Sequence, residues 1–139
     1  MCPAGWHVPS VAEWVQLQEY LENNDDYTCD GGVAKAMAST EYWQFESVPE
    51  CSPSDNTTPN NTSGFSAELV GYYDGWFEAF NSSYNVGGLA VFSSCFWTSS
   101  KNDGDEVIYY YLQNGPDLEF LSVDNTDEPH AMSVRCVRD

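Results

Sequence analysis

The sequence predicts a single α+β domain in which two helices come first and small antiparallel sheets with long loops follow. Helical spacing of apolar residues is confined to the N-terminal third, whereas short aromatic and β-branched runs alternate with Gly, Asn and Asp after Gly64. Helices followed by strands, without βαβ alternation, indicate an α+β rather than a parallel α/β architecture. The 139 residues are enough for one hydrophobic core but not for two.

The first helix is predicted by a capping box at Ser10-Val11-Ala12-Glu13, where a Ser N-cap precedes a Glu on the third helical position. Trp14, Leu17 and Leu21 follow at helical spacing, and polar residues fill the other faces. The Asn- and Asp-rich run that comes next is typical of a helix end. We therefore predict an amphipathic helix over residues 11–22.

A second, shorter helix is predicted over residues 33–39, after a pair of glycines. Its pattern places Val33, Ala36 and Met37 on the inward face. The aromatic pair Tyr42-Trp43 follows at once, and we expect it to return the chain to the core.

Residues 46–63 are rich in Pro, Ser, Thr and Asn, which predicts a long loop or a mobile insertion. The segment contains N-x-Ser/Thr triplets that start at Asn56, Asn60 and Asn61. These triplets matter only in a secretory pathway that glycosylates them, so they carry little of the functional argument.

Beyond this loop, six short runs have strand character, namely residues 65–67, 90–92, 96–98, 107–112, 118–123 and 133–137. Within 107–112 a period of two places Ile108, Tyr110 and Leu112 toward the core. Val107, Tyr109 and Tyr111 then face outward, and a one-residue error in register would exchange the two sets.

The charge of the chain restricts its partners, because 4 basic residues oppose 22 acidic ones for a net charge of −18. No basic patch can be assembled from so few cations, which excludes nucleic acid and disfavours an anionic membrane surface. No apolar run approaches the length of a membrane span, so we expect no direct membrane insertion. The acidity favours solubility, with a ligand surface for cationic or hydrogen-bonding groups as the alternative.

The five cysteines suggest an oxidising location, and we expect an extracellular, cell-surface or virion-surface protein. No C-x-x-C pair is present and there are only two histidines, so a structural zinc site is not expected. Each end of the chain offers a short apolar stretch with one cysteine. We therefore expect a Cys2–Cys136 bridge first, Cys29–Cys51 second and Cys95 free, although spacing alone leaves the connectivity open.

Four segments carry a family resemblance: Cys2 to Ser10, Asn61 to Tyr72, Phe96 to Ser100 and Ser133 to Val137. Their order and composition resemble the Fibrobacter succinogenes major paralogous domain, a family of bacterial surface modules placed with the C-type-lectin-like folds. The resemblance spans nearly the whole chain. It implies a small C-type-lectin-like domain with paired N- and C-terminal strands, whose central strands and long loops form a display face.

The C-type-lectin-like fold that this resemblance implies is also the fold of the variable proteins of diversity-generating retroelements. Those proteins present a mutable, aromatic- and Asn-rich patch. The run from Gly71 to Phe120 has the Tyr, Asn, Ser and Gly mixture that binding loops use, since Tyr supplies rigid contact area and the others adapt. The resulting candidate ligand-binding residues are Tyr72, Tyr73, Asp74, Trp76, Asn102, Asp103, Asp105, Tyr109, Tyr111, Asn114, Asp117 and Phe120.

Calcium-dependent sugar binding is disfavoured by the residues themselves. Sugar-binding C-type lectins use a Glu-Pro-Asn or Gln-Pro-Asp loop, whereas Glu128-Pro129-His130 lacks the amide oxygen. They also use a Trp-Asn-Asp strand, whereas Trp97 is followed by Thr98-Ser99. We expect no metal ion and no cofactor.

Catalysis is not predicted either. The broader fold includes formylglycine-generating enzymes, but Cys95 and Cys136 do not form their cysteine pair, and Cys136 is expected to be structural. His7 is expected to be a structural histidine, and no nucleophile is flanked by a base and an orienting group. Acidic pairs are common in a chain this acidic; the candidates are Asp103, Asp105, Glu106, Asp117 and Glu119.

The sequence therefore predicts a monomeric, non-enzymatic binding module that recognises a protein ligand through an aromatic and acidic surface. The first alternative is a small extracellular carbohydrate-active enzyme or an accessory carbohydrate-binding domain. The second is a structural module of a larger surface protein. Carboxylates converging in a deep pocket favour the enzyme, and a flat Tyr/Trp patch favours binding.

Overall fold

The computed structural model describes residues 1–43, 50–74, 79–81, 83–86, 89–113, 118–123 and 130–139. Its elements confirm the predicted α+β class with two helices and small antiparallel sheets. In chain order they are β1 (Trp6–His7), α1 (Val11–Glu22), α2 (Ala34–Met37), β2 (Tyr72–Asp74), β3 (Ala79–Asn81), β4 (Ser83–Val86), β5 (Leu89–Lys101), β6 (Val107–Gln113), β7 (Leu118–Val123), β8 (Ala131–Met132) and β9 (Val137–Arg138).

Helix α1 begins and ends at the predicted residues, because its start is encoded locally. The Ser10 hydroxyl accepts from the Glu13 backbone N–H at 3.3 Å, and the Glu13 carboxylate accepts from the Ser10 N–H at 2.8 Å. This reciprocal capping satisfies two N–H groups that the first turn leaves without helical partners. Trp14 and Leu21 are buried, as their spacing predicts.

Helix α2 spans only Ala34–Met37, shorter than predicted, and Val33, Ala36 and Met37 are buried as expected. Lys35 is also buried, which the sequence did not suggest. Its ammonium group donates to the backbone carbonyl oxygens of Ser52, at 3.1 Å, and Asp55. Burial lowers the pKa of the Lys35 amine.

The predicted insertion is an integral part of the fold over its described residues, 50–63. The Ser63 hydroxyl donates to the Ala36 carbonyl at 2.7 Å, and the buried Asn60 amide donates to the carbonyls of Ser39 and Pro53. These bonds tie the loop to α2 over this part of the chain. Polar composition cannot distinguish a free loop from one whose polar groups are satisfied internally.

The largest sheet has the strand order β4-β5-β6-β7, and every pairing in it is antiparallel. A second sheet has the order β3-β2-β8. It meets β5 where Gly71 bridges to Ser94 and Ser133 bridges to Phe96. Next to these two bridging residues in the chain, β2 and β8 pair with each other and no longer with β5.

Three strand predictions need correction. Residues 90–92 and 96–98 belong to one strand, β5, because the polar Ser93-Ser94 step between them is itself buried in the sheet. Residues 65–67 form no strand, and Ala67 makes only an isolated bridge to Ala38. Residues 133–137 divide into the Ser133 bridge and the start of β9.

The core lies between α1, α2 and one face of the large sheet. Trp14 stacks on Tyr110 with ring centroids 4.4 Å apart, and Leu112 and Met37 are fully buried nearby in the same cluster. Trp43 returns to this core as predicted, and its indole N–H donates to the Ala67 carbonyl at 2.9 Å. Buried indole and phenol rings thus fill a core that α1 and β6 share.

The chain ends are joined as predicted. Strand β1 pairs antiparallel with β9, and a disulfide links Cys2 to Cys136. A second disulfide links Cys29 to Cys51, and Cys95 is free and buried, so all three cysteine predictions are confirmed. Among the described residues no helix has the length and apolar character that crossing a membrane requires.

Candidate functional site

The described part of the predicted ligand-binding set falls in three places. Tyr72, Tyr73 and Asp74 form β2, the turn between β5 and β6 holds Asn102, Asp103 and Asp105, and Tyr109, Tyr111 and Phe120 lie on the paired strands β6 and β7. Trp76, Asn114 and Asp117 lie outside the described residues.

Strand β6 has the predicted facing. Tyr110 and Leu112 are 1% and 0% exposed in the core, and Tyr109 and Tyr111 share the opposite face, with ring centroids 6.4 Å apart. Tyr111 is nevertheless only 5% exposed, so the expectation that it presents surface area is wrong. It pairs in register with Cys95, which is 2% exposed, so this end of the outer face is covered.

The open end of the same face carries an aromatic pair of which the predicted set contained only Tyr109. Trp97 and Tyr109 are partners in register on β5 and β6, and both are half-buried. A period of two along β5, counted from the core residue Phe96, places Trp97 outward and could have identified it. Cross-strand aromatic neighbours of this kind form a continuous contact surface.

The β5–β6 turn uses most of its polar groups internally. The Asn102 side-chain oxygen accepts from the N–H groups of Gly104 and Glu106, and its amide donates to the Glu106 carboxylate. Asp105 forms an ion pair with Lys101 at 2.7 Å. Asn102 and Asp105 therefore shape the turn, whereas Asp103 is exposed at its tip.

Strand β2 places Tyr72 and Tyr73, both half-buried, beside β8. The Tyr72 ring lies 6.3 Å from the ring of His130. Because Gly71 and Ser133 anchor β2 and β8 to the edge of β5, these tyrosines belong to a different sheet from Tyr109. The structure thus divides the predicted surface between two sheets.

The most exposed aromatic side chains of the described residues lie elsewhere. Tyr42 is 64% exposed after α2, Tyr20 is 62% exposed on α1, and Trp6 is 45% exposed on β1. Sequence analysis did not select them for ligand binding, because Tyr42 was expected to enter the core with Trp43, and Tyr20 and Trp6 each lie in a segment without an aromatic and acidic cluster. Single exposed aromatics are common on protein surfaces and define no site by themselves.

Two groups of the described residues with potential reactivity, His7 and Cys95, are engaged or shielded. His7 lies between the carboxylates of Glu13 and Asp139, as expected for a structural histidine. Burial raises the pKa of the Cys95 thiol to about 11, which keeps it protonated and a poor nucleophile at neutral pH. Within the described ranges no three His, Cys, Asp or Glu side chains come together as metal ligands.

A groove of about 260 Å³ opens on the other side of β5, at the junction of the two sheets. Its floor is formed by Ser94 and Phe96, which point to the core face, opposite Cys95 and Trp97. Segments around Glu68 and Arg135 form its walls. No sequence motif marks this groove, because its residues come from three separate parts of the chain.

The family model described as the Fibrobacter succinogenes major domain matches residues 1–138 of the chain. The match covers nearly the whole sequence, so the chain belongs to this family, as the resemblance of its motifs indicates. No curated protein matches the chain. No solved structure matches it either.

Proposed function

We propose that this member of the Fibrobacter succinogenes major domain family is a non-enzymatic module that binds a protein ligand. The observation that carries the proposal is the Trp97–Tyr109 pair, half-buried on the outer face of the large sheet, on the two strands whose connecting turn carries the exposed Asp103. Aromatic side chains at half exposure supply contact area at low entropic cost, and nearby carboxylates orient a partner.

The scaffold supports this role because it holds the outer face rigid. Tyr111 and Cys95 are buried beneath one end of that face, and the internally bonded turn closes the other end. Two disulfides constrain the rest of the chain. A preorganised surface loses less conformational entropy on binding, which favours affinity.

The finer form of the proposal is that the domain has a C-type-lectin-like fold and is a variable protein diversified by a retroelement. Its support is the composition of the run from Gly71 to Phe120 and the family of the chain. An extracellular location accords with two disulfides and with the strongly acidic surface composition.

The genetic test is to sequence the neighbourhood of the gene for a reverse transcriptase and a near-copy of the 3′ half. We expect a near-copy that differs mainly at adenine positions, in codons from Tyr72 to Phe120. Absence of both would overturn the diversification proposal and leave a fixed binding module.

The binding test displays the domain on yeast and screens it against an array of purified secreted bacterial proteins. For a protein that binds, Trp97→Ala and Tyr109→Ala should each weaken affinity by roughly 30-fold or more, the size expected of interface hot spots. Tyr20→Ala is the matched control, since Tyr20 is 62% exposed on α1, and it should leave affinity unchanged. Equal effects from all three variants would contradict the proposed surface.

A further inference from the structure

The groove at the sheet junction contains a buried polar atom without a partner among the described residues. Ser94 is 0% exposed at the floor, and its hydroxyl makes no hydrogen bond to any described residue. Its neighbour Ser93 is equally buried on the opposite face, but its hydroxyl contacts the Cys95 sulfur at 3.7 Å. A buried hydroxyl is costly to leave unpaired, and Ser94 lines the groove, so a ligand group that reached this hydroxyl would satisfy it.

Two opposite charges stand on the walls above this floor. Glu68 and Arg135 are both exposed, and neither forms an ion pair with a described residue. Arg135 is held in place, because its guanidinium lies over the Phe65 ring, 4.5 Å from the centroid, and donates to the Phe65 carbonyl. The guanidinium has five N–H donors, so most remain available to a ligand.

The rest of the lining combines hydroxyl groups with apolar surface. Ser66 and Ser133 add two further hydroxyls to that of Ser94, and Val70 and Phe96 add apolar area. Val70 is 44% exposed at the rim. Hydroxyls that donate and accept, a pure donor, a pure acceptor and a patch of apolar surface together match a ring that carries several hydroxyl groups.

Charge and size further restrict the chemical class of the ligand. The net charge of −18 disfavours anions, and Glu68 and Arg135 place one charge of each sign beside the groove, so the groove itself selects neither a cation nor an anion. A group that reaches the fully buried Ser94 must lose its water, which a neutral hydroxyl does far more readily than an ion. The volume of about 260 Å³ lies just below the range for drug-sized ligands, about 300–1,000 Å³, and suits a single sugar ring.

From this geometry we propose that the groove is a binding subsite for a neutral sugar residue that carries vicinal hydroxyls. One hydroxyl bonds to Ser94 at the floor, and a neighbouring pair lies between the Glu68 acceptor and the Arg135 donors. The subsite is separate from the Trp97–Tyr109 surface, because Ser94 and Phe96 face the opposite side of β5. If the groove binds no sugar, the proposed binding of a protein ligand through Trp97 and Tyr109 is unaffected.

The test titrates the isotope-labelled domain with the methyl glycosides of glucose, galactose, mannose and xylose up to 100-fold molar excess or more, and follows backbone amide shifts by NMR. At least one glycoside should shift amides of residues 66–70, 94–96 and 133–135 saturably, with a Kd on the order of 1 mM. Glycine and acetate serve as zwitterionic and anionic probes and should produce no saturable shift in these amides.

Variants separate the subsite from unspecific binding. Ser94→Ala should weaken binding of the responding glycoside by about tenfold, because it removes one hydrogen bond, and Glu68→Gln by several-fold, because a neutral amide oxygen is a weaker acceptor than a carboxylate. Ser93→Ala is the matched control and should change nothing. Glu68 is exposed, so Glu68→Gln remains a valid test if Ser94→Ala does not fold. No localised response to any glycoside, a stronger response to glycine or acetate, or equal loss in Ser93→Ala would overturn the proposal.

Discussion

His7 is held between carboxylates from two distant parts of the chain. Its Nδ1 lies 2.7 Å from Asp139 Oδ1, and its Nε2 lies 2.7 Å from Glu13 Oε1. Only the protonated ring has an N–H at both nitrogens, so the pKa of His7 is raised by the bonds to Asp139 and then to Glu13. The His7 side chain thus links Asp139 to the first turn of α1.

Replacing His7 with Gln should change how the stability of the domain varies as the pH rises from 6 to 9. Because the folded pKa of His7 is raised above 6.5, its contribution is fully present below pH 6.5 and is lost as pH rises through the folded value. The difference in urea midpoint between the native chain and His7→Gln should therefore shrink between pH 6 and 9. A difference that stays constant over this range would contradict the assignment.

Glu13 acts in the opposite pH direction. The Ser10 N–H, the Ser10 hydroxyl and then His7 lower the pKa of Glu13 from 4.5 to about 2. The contribution of Glu13 is therefore present above pH 4.5 and is lost as pH falls toward 2. We expect the stability advantage over Glu13→Gln, measured by thermal unfolding, to disappear between pH 5 and 2. Glu19→Gln, on the same helix, is the control and should track the native chain.

At the scale of elements, the two helices differ in what stabilises them: α1 depends on local sequence signals and α2 on contacts with distant residues. Helix α1 needs only its capping box and apolar spacing, whereas α2 has four residues and no side-chain cap. A helix this short is not stable by itself, so its stability comes from what packs on it. The 50–63 loop supplies that packing, and Lys35 joins the two by donating to two loop carbonyls.

Replacing Lys35 with Met should destabilise the domain by about 2–4 kcal/mol, because the buried Ser52 carbonyl and the half-buried Asp55 carbonyl lose a charged donor. The measurement is the free energy of unfolding in urea. Lys101→Met is the matched control, since Lys101 forms only an exposed ion pair with Asp105, and it should cost less than about 1 kcal/mol. Equal costs for both lysines would show that Lys35 does not organise the loop.

At the scale of the whole molecule, the chain ends close the fold. The Cys2–Cys136 bridge spans 134 residues, and the Cys29–Cys51 bridge spans 22. Strands β1 and β9 pair over only two residues each. The disulfide is therefore the main constraint that holds the two chain ends together. A cross-link over a longer loop removes more entropy from the unfolded chain.

Removing the terminal bridge with Cys2→Ser and Cys136→Ser should therefore destabilise the domain more than Cys29→Ser with Cys51→Ser. The chain-entropy relation gives a difference of roughly 1.5 kcal/mol. Thermal unfolding of both double variants under identical buffer conditions measures it. A larger loss from the Cys29–Cys51 pair would mean that local packing of the 50–63 loop outweighs the entropy of closing the chain.

The parts that were predictable are those in which one segment carries the whole signal. Ser10 to Glu22 contains both the cap and the apolar stripe of α1, residues 107–112 contain the period of two of β6, and residues 118–123 have the strand character of β7. The motifs at the two ends predicted the family and the Cys2–Cys136 bridge. Each of these depends on neighbours within a few residues or on a pattern shared by the family.

What only the tertiary structure decided depends on groups that are distant in sequence. Alternation placed Tyr111 on the outer face, but the packing at that end of the sheet buried it beside Cys95. Lys35 and the Ser94 groove are equally hidden from pattern analysis, because burial of a side chain is a property of all the segments that cover it. The sequence by itself therefore determined the class of fold, the first helix, the facing of β6 and the joined ends, and the tertiary structure decided which polar and aromatic groups remain accessible to a ligand.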